Sequence, residues 1–168
     1  MRSKAIDTTE DFRPWRAAFA GFASGYVMAL AGYWIEAVLG VSNLDIAHAG
    51  LRYVSGEKQG WWIVGIIFHL IDSVLLGVLY AAVVYRHLRR LEKHLGRFWG
   101  SLTAGMAFAV AVWFFLAMLF AMPFMGAGVF GRNTGSPRPA VASLGMHLLF
   151  GSFLGFIYGN RAGSDQAE

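Results

Sequence analysis

The stretch HLIDSVLLGVLY, from His69 to Tyr80, recurs near the end of the chain as HLLFGSFLGFIY, from His147 to Tyr158. The histidine, the leucine after it, the Leu-Gly pair and the tyrosine stand at the same positions in both copies. Each copy lies inside a segment that is apolar enough for a lipid bilayer. The sequence therefore predicts a duplicated pair of membrane spans with two matched intramembrane histidines.

The composition of the chain indicates an integral membrane protein. Of its 168 residues, 57% are apolar and only 14% are charged, and the mean hydropathy is +0.50. A soluble domain of this size would need more charge on its surface. The lack of cysteine excludes disulfides, thiolate metal sites, iron–sulfur clusters and c-type haem attachment. A tightly bound metal or haem would have to use histidine, carboxylate or methionine ligands.

Four apolar segments are predicted to cross the membrane as helices, over residues 17–39, 61–85, 99–122 and 140–158. The first is long enough to span about 30 Å of hydrocarbon, which favours a membrane helix over a cleaved leader. Pro123 is expected to end the third, because proline removes a helix hydrogen bond. We expect one transmembrane domain over residues 17–160, preceded by a polar segment (1–16) and followed by a polar tail (161–168).

Small residues recur at every fourth position along the first and fourth spans. Such ridges let two helices approach closely, and van der Waals contact then replaces the hydrophobic driving force that lipid removes. The glycines expected at helix contacts are Gly21, Gly25, Gly77, Gly151, Gly155 and Gly159. The match between the first and third spans is weaker and rests on small residues and on Trp34 against Trp113.

Two connecting segments are predicted to form short amphipathic helices at the membrane surface. Apolar residues fall at helical spacing over residues 41–60. The connector over residues 86–98 carries five Lys and Arg residues among leucines, which is typical of a helix on an anionic leaflet. His48, His87 and His94 lie on these segments and are expected to meet water.

The distribution of Lys and Arg predicts the orientation. The N-terminal segment, the connector over residues 86–98 and the tail carry ten, whereas the other two connections carry four. Both termini are therefore expected in the cytoplasm. The net charge of +4 reflects this topology and contact with anionic lipid, so we expect no nucleic-acid partner. Each repeat has two spans, so the fold class is an all-α, four-helix transmembrane bundle of two parallel αα-hairpins.

The order of these features resembles a family of small four-span prokaryotic membrane proteins known as a domain of unknown function. The shared features are a Gly-rich first span, the His-Leu-x-x-x-x-x-Leu-Gly-x-x-Tyr motif from His69, the segment MPFMGAGVFG from Met122 to Gly131, and a second His-x-x-x-Gly copy from His147. The resemblance covers roughly residues 21–159. It implies four spans in a prokaryotic cytoplasmic membrane and contributes no catalytic residue.

Ionisable residues inside a bilayer are costly, so Glu36, His69, Asp72 and His147 are candidate sites. His69 and His147 lie roughly 12 and 10 Å from the non-cytoplasmic ends of their spans. Facing imidazoles could hold a b-type haem, and Asp72 or Glu36 could complete a metal site. The methionines that could add soft ligands for copper are Met118, Met122, Met125 and Met146. Alternatively, each histidine donates to a carbonyl or a neighbouring side chain and only fixes the helix register.

The contrast between abundant close-packing features and scarce polar chemistry favours a non-enzymatic accessory subunit. We expect it to contact lipids and other integral membrane proteins or its own copies, as in a respiratory or photosynthetic redox complex. We expect this subunit to have no cofactor, although a bound pigment or lipid would fit the 15% aromatic content. A haem- or metal-binding protein centred on His69 and His147 is one alternative, and a small transporter or channel is another. His69, Asp72 and Ser73 share one helix and do not converge as a catalytic triad.

Overall fold

The computed structural model describes residues 12–40, 49–54, 59–85, 87 and 90–160. Within these residues every regular element is a helix. Four helices are long and apolar enough to cross a membrane: Pro14–Val38, Trp61–Val83, Arg97–Phe124 and Arg138–Gly159. We refer to them as the first to fourth spans. The protein is an all-α, multi-pass helical bundle, as the sequence predicts; residues 1–11 and the tail lie outside the described residues.

The first and second spans pack along their small residues. A Cβ on Gly21 would collide with the carbonyl oxygen of Ser73, and a Cβ on Gly77 would collide with that of Ala17. Gly25 lies directly against the Ser73 side chain. Because these positions carry no side chain, the two backbones come into direct contact.

The third and fourth spans make the same contacts at equivalent positions. A Cβ on Gly105 would collide with the carbonyl oxygen of Gly151, and a Cβ on Gly155 would collide with that of Ser101. Gly151 lies against the Ala109 side chain. Every glycine predicted at a helix contact lies where a Cβ would meet a neighbouring span: Gly21, Gly25, Gly77, Gly151, Gly155 and Gly159.

These contacts show which residues of the first and third spans are equivalent, and the alignment differs from the one that the tryptophans suggest. The contacts that Gly21 makes in the first span are made by Gly105 in the third. In this register Trp34 corresponds to Met118 rather than to Trp113. The expected match of Trp34 with Trp113 is therefore wrong, because the backbone contacts between helices, and not the aromatic residues, fix which positions are equivalent.

The tyrosines that close the two copies of the motif meet in the core. The rings of Tyr80 and Tyr158 lie 6.1 Å apart in an edge-on arrangement, and Tyr85 lies 5.0 Å from Tyr158. Phe108 of the third span packs 5.4 Å from Tyr80. The second and fourth spans therefore bring equivalent residues together at this end of the bundle, which we call the tyrosine end.

The connector at the tyrosine end contributes a carboxylate to the interior. It forms a short helix, Arg90–Leu95, and Gly96 separates this helix from the third span with a positive φ of 76°, which favours glycine. The Glu92 carboxylate accepts hydrogen bonds of 2.8 Å from the hydroxyls of Tyr85 and Ser101. Thus the connector, predicted as a helix on the membrane surface, is also tied into the bundle.

The third span does not stop before Pro123 as predicted. Residues Trp113–Ala121 are π-helical, and a new helical turn, Met122–Phe124, follows them. Pro123 lies inside a continuous helix, because Met122 has helical backbone angles and its N–H donates to the carbonyl of Ala117. The proline therefore costs the helix a hydrogen bond without ending it. The other span limits lie within three residues of those predicted, which is common at helix ends.

The end of the bundle opposite the tyrosine end is called the histidine end. There a short helix, Ala49–Tyr53, packs on the second span. The Tyr53 ring stacks on Phe68 with centroids 4.4 Å apart. The Arg52 guanidinium donates a 3.2 Å hydrogen bond to the carbonyl of Met125, just after the third span. This helix is the described helical part of the predicted amphipathic segment over residues 41–60. Residues 41–48, with His48, and 55–58 lie outside the described residues.

Candidate binding cavity

A cavity of about 710 Å³ lies between the four spans at the histidine end. Its volume is typical of sites that bind small organic molecules. Each span contributes to its lining, and Tyr53 of the short covering helix lines it as well. The other polar side chains of its lining are His69, Asp72, Ser73, Ser143 and His147, and the remaining surface is mostly apolar. The structure therefore brings three of the four predicted candidate residues to one cavity.

The two histidines are held by different hydrogen bonds. The His69 Nε2–H donates to the carbonyl of Gly25 in the first span at 3.0 Å. The His147 Nδ1–H donates to the carbonyl of Ser143 in its own helix at 2.8 Å. In a neutral imidazole the second nitrogen then carries a lone pair, Nδ1 in His69 and Nε2 in His147. Such hydrogen bonds also orient histidines that bind metals. They therefore fit both the metal-site hypothesis and the hypothesis that the histidines only fix the helix register.

The two acidic candidates are placed differently. Asp72 lines the cavity and makes no hydrogen bond or ion pair with any described residue. Glu36 lies in the last turn of the first span and is not among the described residues that line the cavity. No group of three or more His, Asp or Glu among the described residues is placed to hold a metal ion. Asp72 is thus the carboxylate that accompanies the two histidines.

Most of the predicted methionines lie at this cavity. Met122, Met125 and Met146 line it, whereas Met118 belongs to a neighbouring buried cluster with Ala117. Met28 of the first span lines the cavity too and was missed from the sequence. Its position three residues after Gly25 places it on the same helix face, which is the signal that could have identified it.

A b-type haem fits the donor set poorly. The Nε2 of His69 is already bonded to the Gly25 carbonyl, so only Nδ1 could bind iron. That nitrogen lies next to the carbon that carries the side chain, which would crowd the macrocycle. His147 offers Nε2, so the two histidines would have to bind iron through unlike nitrogens.

Tyr53 contributes a hydroxyl at the covered end of the cavity. Burial raises the pKa of its phenol, and the charge of the nearby Asp72 carboxylate raises it further. Tyr53 is therefore neutral at physiological pH and can both donate and accept a hydrogen bond.

No family model, curated protein or solved structure matches this chain. The fold and the cavity together describe a multi-pass membrane protein with a largely apolar cavity between its four candidate spans. The resemblance drawn from the sequence motifs stays a prediction.

Replacing His69 by leucine is expected to destabilise the protein more than replacing His147 by leucine. The hydrogen bond of His69 joins two spans, whereas that of His147 stays within one helix. An interhelical hydrogen bond in a membrane contributes about 1 kcal/mol. In one detergent, the thermal unfolding midpoint of His69→Leu should lie a few degrees below that of His147→Leu. Equal midpoints would contradict a stabilising bond between the first and second spans.

Proposed function

We propose that this protein binds a small, mainly apolar ligand in the cavity between its spans. The observation that carries the proposal is the cavity itself, with the three ionisable side chains His69, Asp72 and His147 in a largely apolar lining. Ionisable side chains within membrane spans are costly, and they commonly mark a ligand site or an ion pathway. Leu75 of the second span and Phe120 of the third line the cavity and are also exposed on the outside of the bundle, which supports entry from the lipid.

We further infer that both termini face the cytoplasm of a prokaryotic cell and that the cavity lies in the outer half of its cytoplasmic membrane. The excess of Lys and Arg at the termini and the connector supports this orientation. The motif resemblance supports the choice of membrane.

Native mass spectrometry tests the binding function. The protein is incubated separately with a twelve-carbon amine, alcohol and carboxylic acid and released from the same neutral detergent. At least one compound should give a saturable one-to-one adduct. If none of the three does so, the proposed binding function is wrong.

A second candidate function is that of an accessory subunit, and Tyr26 favours it. This residue lies near the middle of the first span and is exposed on the outside of the bundle. Its hydroxyl has no hydrogen-bond partner among the described residues, and hydrocarbon supplies none. A helix of another integral membrane protein could accept this hydrogen bond. The aromatic residues exposed on this span are Trp15, Phe19, Phe22, Tyr26, Tyr33 and Trp34.

Purification in a mild detergent distinguishes a subunit from an isolated protein. We expect a complex containing a second membrane protein, and its yield should fall in Tyr26→Leu but not in Phe115→Leu, which changes an exposed residue of the third span. A particle containing one or two copies of this 18.4 kDa chain alone would contradict a heteromeric subunit.

A further inference from the structure

We propose that the ligand of this cavity is an amphiphile with a primary ammonium head, which Asp72 and the two histidines bind. This inference rests on the proposed binding function and specifies the chemistry of its ligand. Three properties of the cavity lining support this inference: its charge, the direction of its hydrogen bonds and the apolar character of its other residues.

The charge of the lining favours a cation. Asp72 is an acidic residue in the lining, whereas none of the described lining residues is Lys or Arg. Its carboxylate makes no ion pair or hydrogen bond with a described residue. The Asp72 side chain is exposed, so a ligand can reach its carboxylate, and surrounding hydrocarbon strengthens the attraction between opposite charges relative to water. An ammonium group would therefore pair with this carboxylate.

The hydrogen bonds of the lining residues favour a ligand whose head group donates hydrogen bonds. His69 and His147 each donate a ring N–H to a helix carbonyl, so the other ring nitrogen of each is an acceptor. The Ser73 hydroxyl donates to the carbonyl of His69 at 2.7 Å and likewise retains only acceptor capacity. The hydroxyls of Tyr53 and Ser143 can donate or accept. An ammonium group carries three donors and no acceptor, so it complements this set.

The rest of the cavity suits the apolar body of such a ligand. Leu76, Leu116 and Phe150 line it together with flexible methionine side chains, which adapt to irregular shapes. A carboxylate head would meet the like charge of Asp72, and an alcohol head would gain a hydrogen bond but no charge pairing. Amines should therefore bind more tightly than alcohols, and alcohols more tightly than carboxylates.

Dissociation constants of dodecylamine, dodecanol and dodecanoate, measured on the whole protein in one lipid nanodisc composition, test this inference. We expect dodecylamine to bind about tenfold more tightly than dodecanoate, a difference of about 1.4 kcal/mol. Asp72→Asn keeps the side-chain volume and removes the charge, so it should abolish most of that preference. Asp72→Glu keeps the charge and should retain it.

A fourth compound, lysophosphatidylethanolamine, distinguishes the source of the ammonium group. Binding comparable to that of dodecylamine indicates a lipid headgroup, and binding of dodecylamine alone indicates a free amine; either supports the inference. Equal or tighter binding of dodecanoate, or a preference for the amine that survives in Asp72→Asn, would overturn it and leave the binding function standing. Failure of all compounds to bind would overturn the binding function itself.

Discussion

Gly155→Ala is expected to separate the third and fourth spans and to lower the stability of the protein strongly. A Cβ at this position would collide with the carbonyl oxygen of Ser101 and crowd the Cα of Gly105. Both neighbours are backbone atoms, so no side-chain rotation can relieve the collision. Overpacking in a core costs about 1–3 kcal/mol where side chains can adjust, and a backbone collision should reach at least the upper end.

Gly145→Ala is the matched control, because it adds the same methyl group to the same span. A Cβ at Gly145 would meet no atom within 4 Å. Alanine also favours a helix over glycine by about 1 kcal/mol. We therefore expect an unchanged or higher unfolding midpoint for Gly145→Ala and a large decrease, or no folded protein, for Gly155→Ala. Similar midpoints in the two variants would contradict the close contact between these spans.

Ala121→Trp is expected to weaken ligand binding strongly without loss of stability. Ala121 lines the cavity and is exposed, so an indole can occupy the space without displacing the core. The added ring would fill the volume that a ligand needs, and the affinity for dodecylamine should fall by about tenfold or more, or 1.4 kcal/mol or more. Ala111→Trp is the control, since Ala111 is an exposed residue of the same span that does not line the cavity.

Titration of both variants with dodecylamine, followed by native mass spectrometry, gives the comparison. Wild-type affinity in Ala121→Trp would show that the compound binds elsewhere, for example among the exposed aromatic residues. An equal loss in Ala111→Trp would point to a general effect of tryptophan on the lipid-facing surface.

The four spans could be predicted from the sequence because membrane helices need long apolar segments. The contact glycines were also predictable, since close helix packing in lipid requires small residues at every fourth position. The register between the first and third spans was not predictable. Core-facing and lipid-facing residues are both apolar here, so hydrophobic periodicity does not reveal which side of a helix faces its neighbour.

The residues of the candidate site could be predicted only in part. The rarity of charge within the spans identified His69, Asp72 and His147, and the repeated motif placed the histidines at matched depth. The sequence did not predict that Met28 lines the cavity and Glu36 does not, nor which ring nitrogen of each histidine donates a hydrogen bond. These details depend on how each helix is rotated about its axis. The inward position of Glu92 was missed because its neighbours in sequence are basic and suggest a solvated surface.

Cross-linking between the second and fourth spans tests the central claim most directly, namely that the two copies of the motif lie side by side in the same direction. The chain has no native cysteine, so Tyr80→Cys/Tyr158→Cys gives one defined pair, at positions whose rings lie 6.1 Å apart. A short bifunctional thiol reagent applied to intact membranes should link this pair within one chain. It should not link the control pair Tyr80→Cys/Tyr33→Cys, whose second residue is exposed near the other end of the first span. Absence of the first link in folded protein, or equal linking of both pairs, would contradict the account.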